Sequence, residues 1–377
     1  MKKLALLLLT IAFIFTTANA KIRRVGFFGS PVSGTDYITF ATAYTAATSG
    51  DTILMFPGTT LTAIISKKLI IIGPGNWLDP NSSPAKGNAN LQAFAGIATL
   101  SSLTFDPGSD GSLLTGFYGG NAYIRDSNIT IARNSEIGVN ITYNPTPGTV
   151  TNLQVIQNYR VSIQQYYNNG SSATNMNISN NLITFFYTPI GNTYSGNISN
   201  NVWAYDVTLA TNNVNGGSAT LTGTNSIELG SGAYLLQNNI FLSYTNVVAA
   251  SNYNYFTFTN GGNSIFNYNL ALQSSTPTNW GAGTGNITTA ITNVANIFAA
   301  FPTIGTTSAD ARYQLKAGSP ALTAGAGGTA IGMFAGVTPY KLSTIPTIPT
   351  IYALSSPQGN NPAGSTIQIN VSTRGNN

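Results

Sequence analysis

The chain contains no histidine and no cysteine. Without histidine there is no Ser-His-Asp triad, no Cys-His dyad, no imidazole acid–base chemistry and no ordinary zinc site. Without cysteine there are no disulfides and no thiolate ligands. Charge is scarce as well. Asp, Glu, Lys and Arg make up 7% of residues, against about 25% in a typical soluble domain. The balance of 15 basic to 10 acidic residues gives a net +5. That is too dilute for a nucleic-acid footprint, which needs clustered Lys and Arg, and too dilute for polybasic membrane binding. Beyond the N-terminus no window offers the ~18 continuous apolar residues of a membrane helix. Uncharged Asn, Thr, Ser and Gly must therefore carry the polar surface. That palette suits strands and turns rather than helices.

The N-terminus reads as a signal peptide over residues 1–20. Lys2 and Lys3 precede an apolar stretch, Leu4 to Phe15, that is too short to span a bilayer. Ala18-Asn19-Ala20 is a small-x-small cleavage site, and no Cys follows it to carry a lipoprotein anchor. An exported protein is expected: periplasmic, cell-surface or extracellular, with no membrane insertion after cleavage.

Residues 21–63 read as an N-terminal cap of strand and helix. Phe40, Ala43, Tyr44 and Ala47 fall at helical spacing, Gly50-Asp51 stops the helix, and Thr52 to Phe56 is a buried strand before the Pro57-Gly58 turn. An amphipathic helix in that place covers the first coil of a solenoid. The solenoid itself is marked by an apolar-x-Asn pattern. It recurs in Ala132-Arg133-Asn134, Ile156-Gln157-Asn158, Ile178-Ser179-Asn180, Ile198-Ser199-Asn200 and Leu236-Gln237-Asn238, at spacings of 24, 22, 20 and 38 residues. One turn Asn per coil of about 20 residues is a β-solenoid signature. Asn tolerates left-handed backbone and bonds to the Asn stacked above it. The pattern predicts that Leu182, Val202 and Ile240 point into the lumen as an aliphatic ladder. About ten coils are expected over residues 64–341. Insertions at Tyr143–Gly148, Asn168–Ser172, Asn212–Gly217 and Tyr253–Gly262 leave the coil, where function is commonly carried. Residues 342–377 read as a Pro-rich strap and terminal β-strands: Pro at every third position within 342–352 predicts an extended strap, and the alternating 366–372 a terminal strand.

Three stretches resemble a known family. Residues 47–58 (ATSGDTILMFPG) and 66–75 (SKKLIIIGPG) resemble the cap and first coil of secreted bacterial right-handed parallel β-helix proteins of the pectate-lyase-like superfamily. Residues 313–322 (YQLKAGSPAL) resemble their closing segment, where the usual Asp-Ile-Gly is replaced by Ala330-Ile331-Gly332. The resemblance covers roughly residues 36–340. It implies an all-β fold: a single-stranded, three-sheet, right-handed parallel β-helix with a helical cap and an extended C-terminal strap. It does not imply one activity, because the fold hosts lyases, hydrolases, adhesins and spikes.

Glycoside hydrolysis needs two carboxylates at a fixed separation. Three clusters are candidates for chemistry. Asp106 and Asp110 lie in Asp-Pro-Gly and Asp-Gly turns, which is their ordinary use, or they hold a weak Ca²⁺ site. Asp126, Arg133, Glu136 and Arg160 follow what the resemblance implies for a lyase, acidic ligands with an Arg base on one face. Read from the residues alone, they are a surface ion-pair ladder. Tyr166, Tyr187, Trp203, Tyr205, Asp206 and Tyr244 recur after the coil Asn and form a candidate sugar-binding stripe, or they stack only to stabilise sheets. With no His and few carboxylates, the expected function is a non-catalytic glycan-binding or adhesive protein. It is expected to be monomeric and free of cofactors, with a polysaccharide or cell-surface glycan as partner and no nucleic acid. A polysaccharide lyase or glycoside hydrolase, and a structural matrix component, are the competing readings.

Overall fold

The computed structural model describes residues 20–26, 31–79, 88, 96–141, 148–165, 171–189, 191–204, 226–242, 257–259, 263–272, 283–290, 294–301, 307–355, 366 and 369–375. The signal-peptide reading, except for Ala20, lies outside them.

The chain is an all-β parallel solenoid. One long sheet runs through strands Ile22–Val25, Thr52–Met55, Ile70–Ile72, Leu113–Thr115, Thr130–Ala132, Gln154–Ile156, Ser172–Ser179, Tyr194–Ser199, Ala233–Gln237 and Ile265–Asn267. A second runs from Thr60–Ile65 through Asn121–Ile124, Gly138–Ile141 and Val161–Gln164 to Ile287–Thr289. Short pairings such as 149–151 with 172–174 branch off these two sheets. No third long sheet stands among the described residues. Residues 350–355 and 370–374 pair antiparallel as a separate ribbon.

Alternation explains the lumen. In the first sheet Ile53, Ile71, Leu114, Ile131, Val155, Ile178, Ile198, Leu236 and Phe266 share one register row and are fully buried. In the second, Leu103, Ala122, Val139, Ile163 and Phe186 do the same. Each such aliphatic contributes about 1.5–3 kcal/mol by leaving water. The helix Phe40–Ala46 closes the N-terminal end by adding Phe40 and Ala43 to this core. Thr39 caps it, its Oγ1 accepting from the Thr42 N–H.

A ladder of buried asparagines runs up the turn between the sheets: Asn134, Asn158, Asn181, Asn201, Asn239 and Asn269, ending at Asn286. Asn134 Oδ1 accepts the Phe117 N–H, and each later Oδ1 accepts both the backbone N–H and the Nδ2 of the preceding ladder Asn, as Asn201 does from Asn181 at 2.9 and 3.0 Å. Each Nδ2 also reaches a strand carbonyl, as Asn201 does to Ile178. The buried amides are thereby satisfied.

This ladder corrects the sequence register. Asn180, Asn200 and Asn238 are not ladder members but the residues before them, and they hold left-handed backbone at φ 58°, 54° and 57°. Arg133, Gln157 and Tyr268 occupy the equivalent positions. The turn needs two different residues, one to take positive φ with its side chain outward and the next to place an amide inside. The expectation for Leu182, Val202 and Ile240 is corrected as a consequence. They are buried, but on the outside of the coils, beneath Ile297, Phe298, Tyr313, Ile331, Met333 and Tyr340.

The covering residues, 294–301 and 307–345, double back along the solenoid. Their main chain is held by the left-handed row. Asn180 Nδ2 donates to the Met333 and Ala335 carbonyls at 3.1 and 2.6 Å, and Gln157 Nε2 to those of Thr338 and Pro339 at 3.1 and 2.7 Å. The Gly332 N–H donates to the Asn238 carbonyl at 2.9 Å. At the far end, Asn76 Nδ2 meets Thr344 Oγ1 at 2.7 Å, beside a fully buried Asp310 that accepts from Tyr340 Oη and the Ser343 N–H. Among the described residues no helix is long and apolar enough to cross a membrane.

Candidate functional site

The first sheet carries a shallow, open groove of about 780 Å³ on its outer face, lined by residues 154, 174–177, 195–197, 233–235, 263 and 265. Two local features shape it. The register between strands 172–179 and 194–199 shifts between Ala173 and Met176. Gly196 lies against Met176, where a Cβ would sit 2.3 Å from the Met176 carbonyl oxygen, so only glycine permits this approach.

Within the groove Gln154, Asn177, Asn197, Leu235 and Ile265 form one row in register across successive strands. Asn177 Nδ2 donates to Gln154 Oε1 at 2.8 Å. Asn197 Nδ2 donates to Ser199 Oγ at 3.3 Å, and Asn197 Oδ1 has no hydrogen-bond partner although it is shut off from solvent. Such an acceptor costs about 1–3 kcal/mol until something donates to it. Beside the row, Asn175 holds left-handed backbone and donates to Asn152, which donates to Asn128 at 2.7 Å. Among the described residues no charged side chain lines the groove. It offers amide donors and acceptors at one end and an aliphatic floor at the other, where Ile265 is 52% exposed.

The residues singled out from sequence do not converge. Asp106 pairs with Arg125 at 3.1 Å. Asp126 accepts the Gly108 and Ser127 N–H groups at 2.9 and 2.8 Å. Asp110 is exposed in its turn. Among the described residues no three carboxylates gather to hold a metal ion. Glu136 pairs with Arg160 at 2.8 Å and accepts from Tyr118 Oη at 3.1 Å. Burial first, and then the Glu136 charge, pushes the Tyr118 phenol above its ordinary pKa. Arg133 is buried elsewhere, donating to Gln157 Oε1 at 2.6 Å and to the Ile345 carbonyl at 3.0 Å. Arg133 and Arg160 therefore serve separate contacts and share no cleft.

The aromatic stripe divides. Trp203 is a core residue, packed against Phe186 and Phe241 at ring-centroid distances of 5.9 and 5.4 Å. Tyr187 is 37% exposed and stacks with Phe185. Tyr166, Tyr205, Asp206 and Tyr244 lie outside the described residues.

The groove amides were missed from sequence: the Asn register was right at Asn134 and Asn158 and one residue off at Asn180, Asn200 and Asn238, which hid the constant offset. Counted from the true ladder, Gln154, Asn177 and Asn197 each stand four residues before a ladder Asn. No known protein family, curated protein or solved structure matches the chain.

Proposed function

We propose that the chain is an exported, right-handed parallel β-helix of about ten coils, akin to the pectate-lyase-like proteins, that binds neutral glycans without cleaving them. The observation that carries this reading is the uncharged, amide-lined groove on the first sheet. Amides recognise hydroxyls, and an uncharged wall gives no purchase to uronates, which call for cations. Six carboxylates, Asp36, Asp51, Asp106, Asp126, Glu136 and Asp310, are each committed to a structural ion pair or hydrogen bonds, and none of the six lines the groove.

The test is affinity electrophoresis of the secreted protein through gels cast with neutral polysaccharides (β-glucan, mannan, xylan) or with polygalacturonate. Retardation by a neutral polymer, lost in the Asn177→Leu, Asn197→Leu double variant, is the expected result. Passage through every neutral gel at the mobility of the control overturns the reading. Release of reducing ends would replace it with a hydrolase.

A further inference from the structure

We propose that the C-terminal end of the solenoid is a self-association surface, and that two copies of this chain join there tail to tail across strand Ile287–Thr289, in place of the monomer expected from sequence. The two ends of the rod differ. At the N-terminal end the helix Phe40–Ala46 covers the lumen, and the edge strand Asp36–Tyr37 is two residues long and ion-paired to Arg24. At the C-terminal end the second sheet stops at Ile287–Thr289, and no strand pairs beyond it among the described residues. The asparagine ladder stops in the same coil, at Asn286.

The edge is open in the direction that pairing needs. Ile287 donates its N–H to the Asn269 carbonyl at 2.8 Å, so its main chain faces back into the sheet. Main-chain groups alternate sides along a strand, so the Thr288 N–H and carbonyl face outward. Thr288 ends the lumen row Ile183, Trp203, Phe241 and Ala271; those four are buried, and Thr288 is only half-buried. Ile287 ends the outer row Leu182, Val202, Ile240 and Leu270, which the cover buries, and is itself 42% exposed. Both rows are cut off rather than finished.

Charge and symmetry select the occupant. Native edge strands are blunted by Lys, Pro or a covering element. Here residues 286–290 read Asn-Ile-Thr-Thr-Ala, and no Asp, Glu, Lys or Arg occurs in the 81 residues from Leu229 to Ala309. Two such ends meet without repulsion, and a charged partner finds nothing to pair with. The capped N-terminal end carries Lys21, Arg23, Arg24, Asp36 and Asp51 and offers no matching surface, so head-to-tail stacking is blocked. Rotating one copy by a half turn about the sheet normal at Thr288 brings the two edge strands together antiparallel. Thr288 then exchanges both N–H···O bonds with Thr288 of the second copy, and the lumen row runs on from one copy into the other. The same patch is used on both copies, so assembly closes at a dimer.

Light-scattering mass measurements on the full chain across about 1–100 µM test this, and the mass is expected to double with concentration. Thr288→Pro removes the outward N–H and Ile287→Lys puts a charge on the exposed edge; each is expected to leave a monomer of unchanged unfolding midpoint. If Thr288→Pro lowers the midpoint, Ile287→Lys decides. The chain has no Cys, so Thr288→Cys adds a single thiol. Facing Cα atoms in such a pair lie about 5.5 Å apart, within disulfide reach. Mild oxidation should therefore give a covalent dimer from Thr288→Cys and none from Ile38→Cys, at a 91% exposed position of the N-terminal end. A single-chain mass at every concentration overturns the proposal. So does a dimer that persists in Ile287→Lys, or one that Ile38→Cys crosslinks instead.

Discussion

Arg133 Nη1 donates to the carbonyl of Ile345 at 3.0 Å, joining residues 212 apart in sequence. It is one rung of a contact in which side chains at the left-handed turn position grip the main chain of the returning C-terminal segment. The grip makes part of the solenoid's outer wall an interior surface. Arg133→Ala leaves the Ile345 carbonyl and Gln157 Oε1 without this donor. A loss of about 1–3 kcal/mol is expected by urea unfolding. An unchanged midpoint would mean that the segment is not held there.

Ending the chain after residue 293 removes the cover from Leu182, Val202 and Ile240. The truncated protein is expected to bind a hydrophobic dye strongly while keeping its far-ultraviolet β-signal, because the lumen core is separate. Complete loss of β-structure would show that the solenoid cannot stand without its cover.

The two residues of an Asn turn predict opposite tolerances. Asn201→Leu removes the acceptor of two bonds from Asn181 and the donor to Asn239 in a site closed to solvent, and should cost about 2–4 kcal/mol. Asn200→Gly places the residue best suited to φ 54° on the outer side, and should change stability by less than about 1 kcal/mol. Denaturation of the two variants side by side checks the register, and a reversed order would contradict it.

Two buried carboxylates set opposing pH dependences. For Asp51 burial raises the pKa, but the Lys21 and Thr48 N–H groups and Arg23 outweigh it and hold the carboxyl below 3.8. Its contribution is present above its unfolded value and lost as pH falls through the lowered one. For Asp310 burial dominates over bonds from Ser308, Ser343 and Tyr340, and raises the pKa above 3.8. Its contribution is present below the unfolded value and lost as pH rises through the raised one. Asp51→Asn should flatten the acid limb of a stability–pH profile, and Asp310→Asn the limb above it. Parallel profiles for wild type and Asp310→Asn would contradict the assignment.

The solenoid was legible because its cause is periodic. An Asn recurs per coil, and apolar residues alternate around it. The cap was legible from Phe40, Ala43 and Ala47, whose spacing only a helix places together. The exact ladder member was not. In Asn180-Asn181, Asn200-Asn201 and Asn238-Asn239 either residue fits a turn, and only stacking in three dimensions tells the left-handed one from the buried one. The same slip turned Leu182, Val202 and Ile240 inward on paper, because one residue reverses the face of a strand. The cover over them was illegible for a further reason: Met333, Thr338 and Ile345 are gripped through their carbonyls, which every residue possesses. Trp203 looked like a ligand platform because a β-sheet shows its aromatics to both faces, and sequence does not say which.

The proposed neutral-glycan groove on the first sheet stands or falls on one comparison: binding of a neutral polysaccharide by the wild-type protein and by the Asn177→Leu, Asn197→Leu double variant of matched unfolding midpoint. Retention of the wild type, loss in the double variant, and no retention of either on polygalacturonate are expected. Equal retention of both proteins, or preference for the uronate polymer, would contradict it.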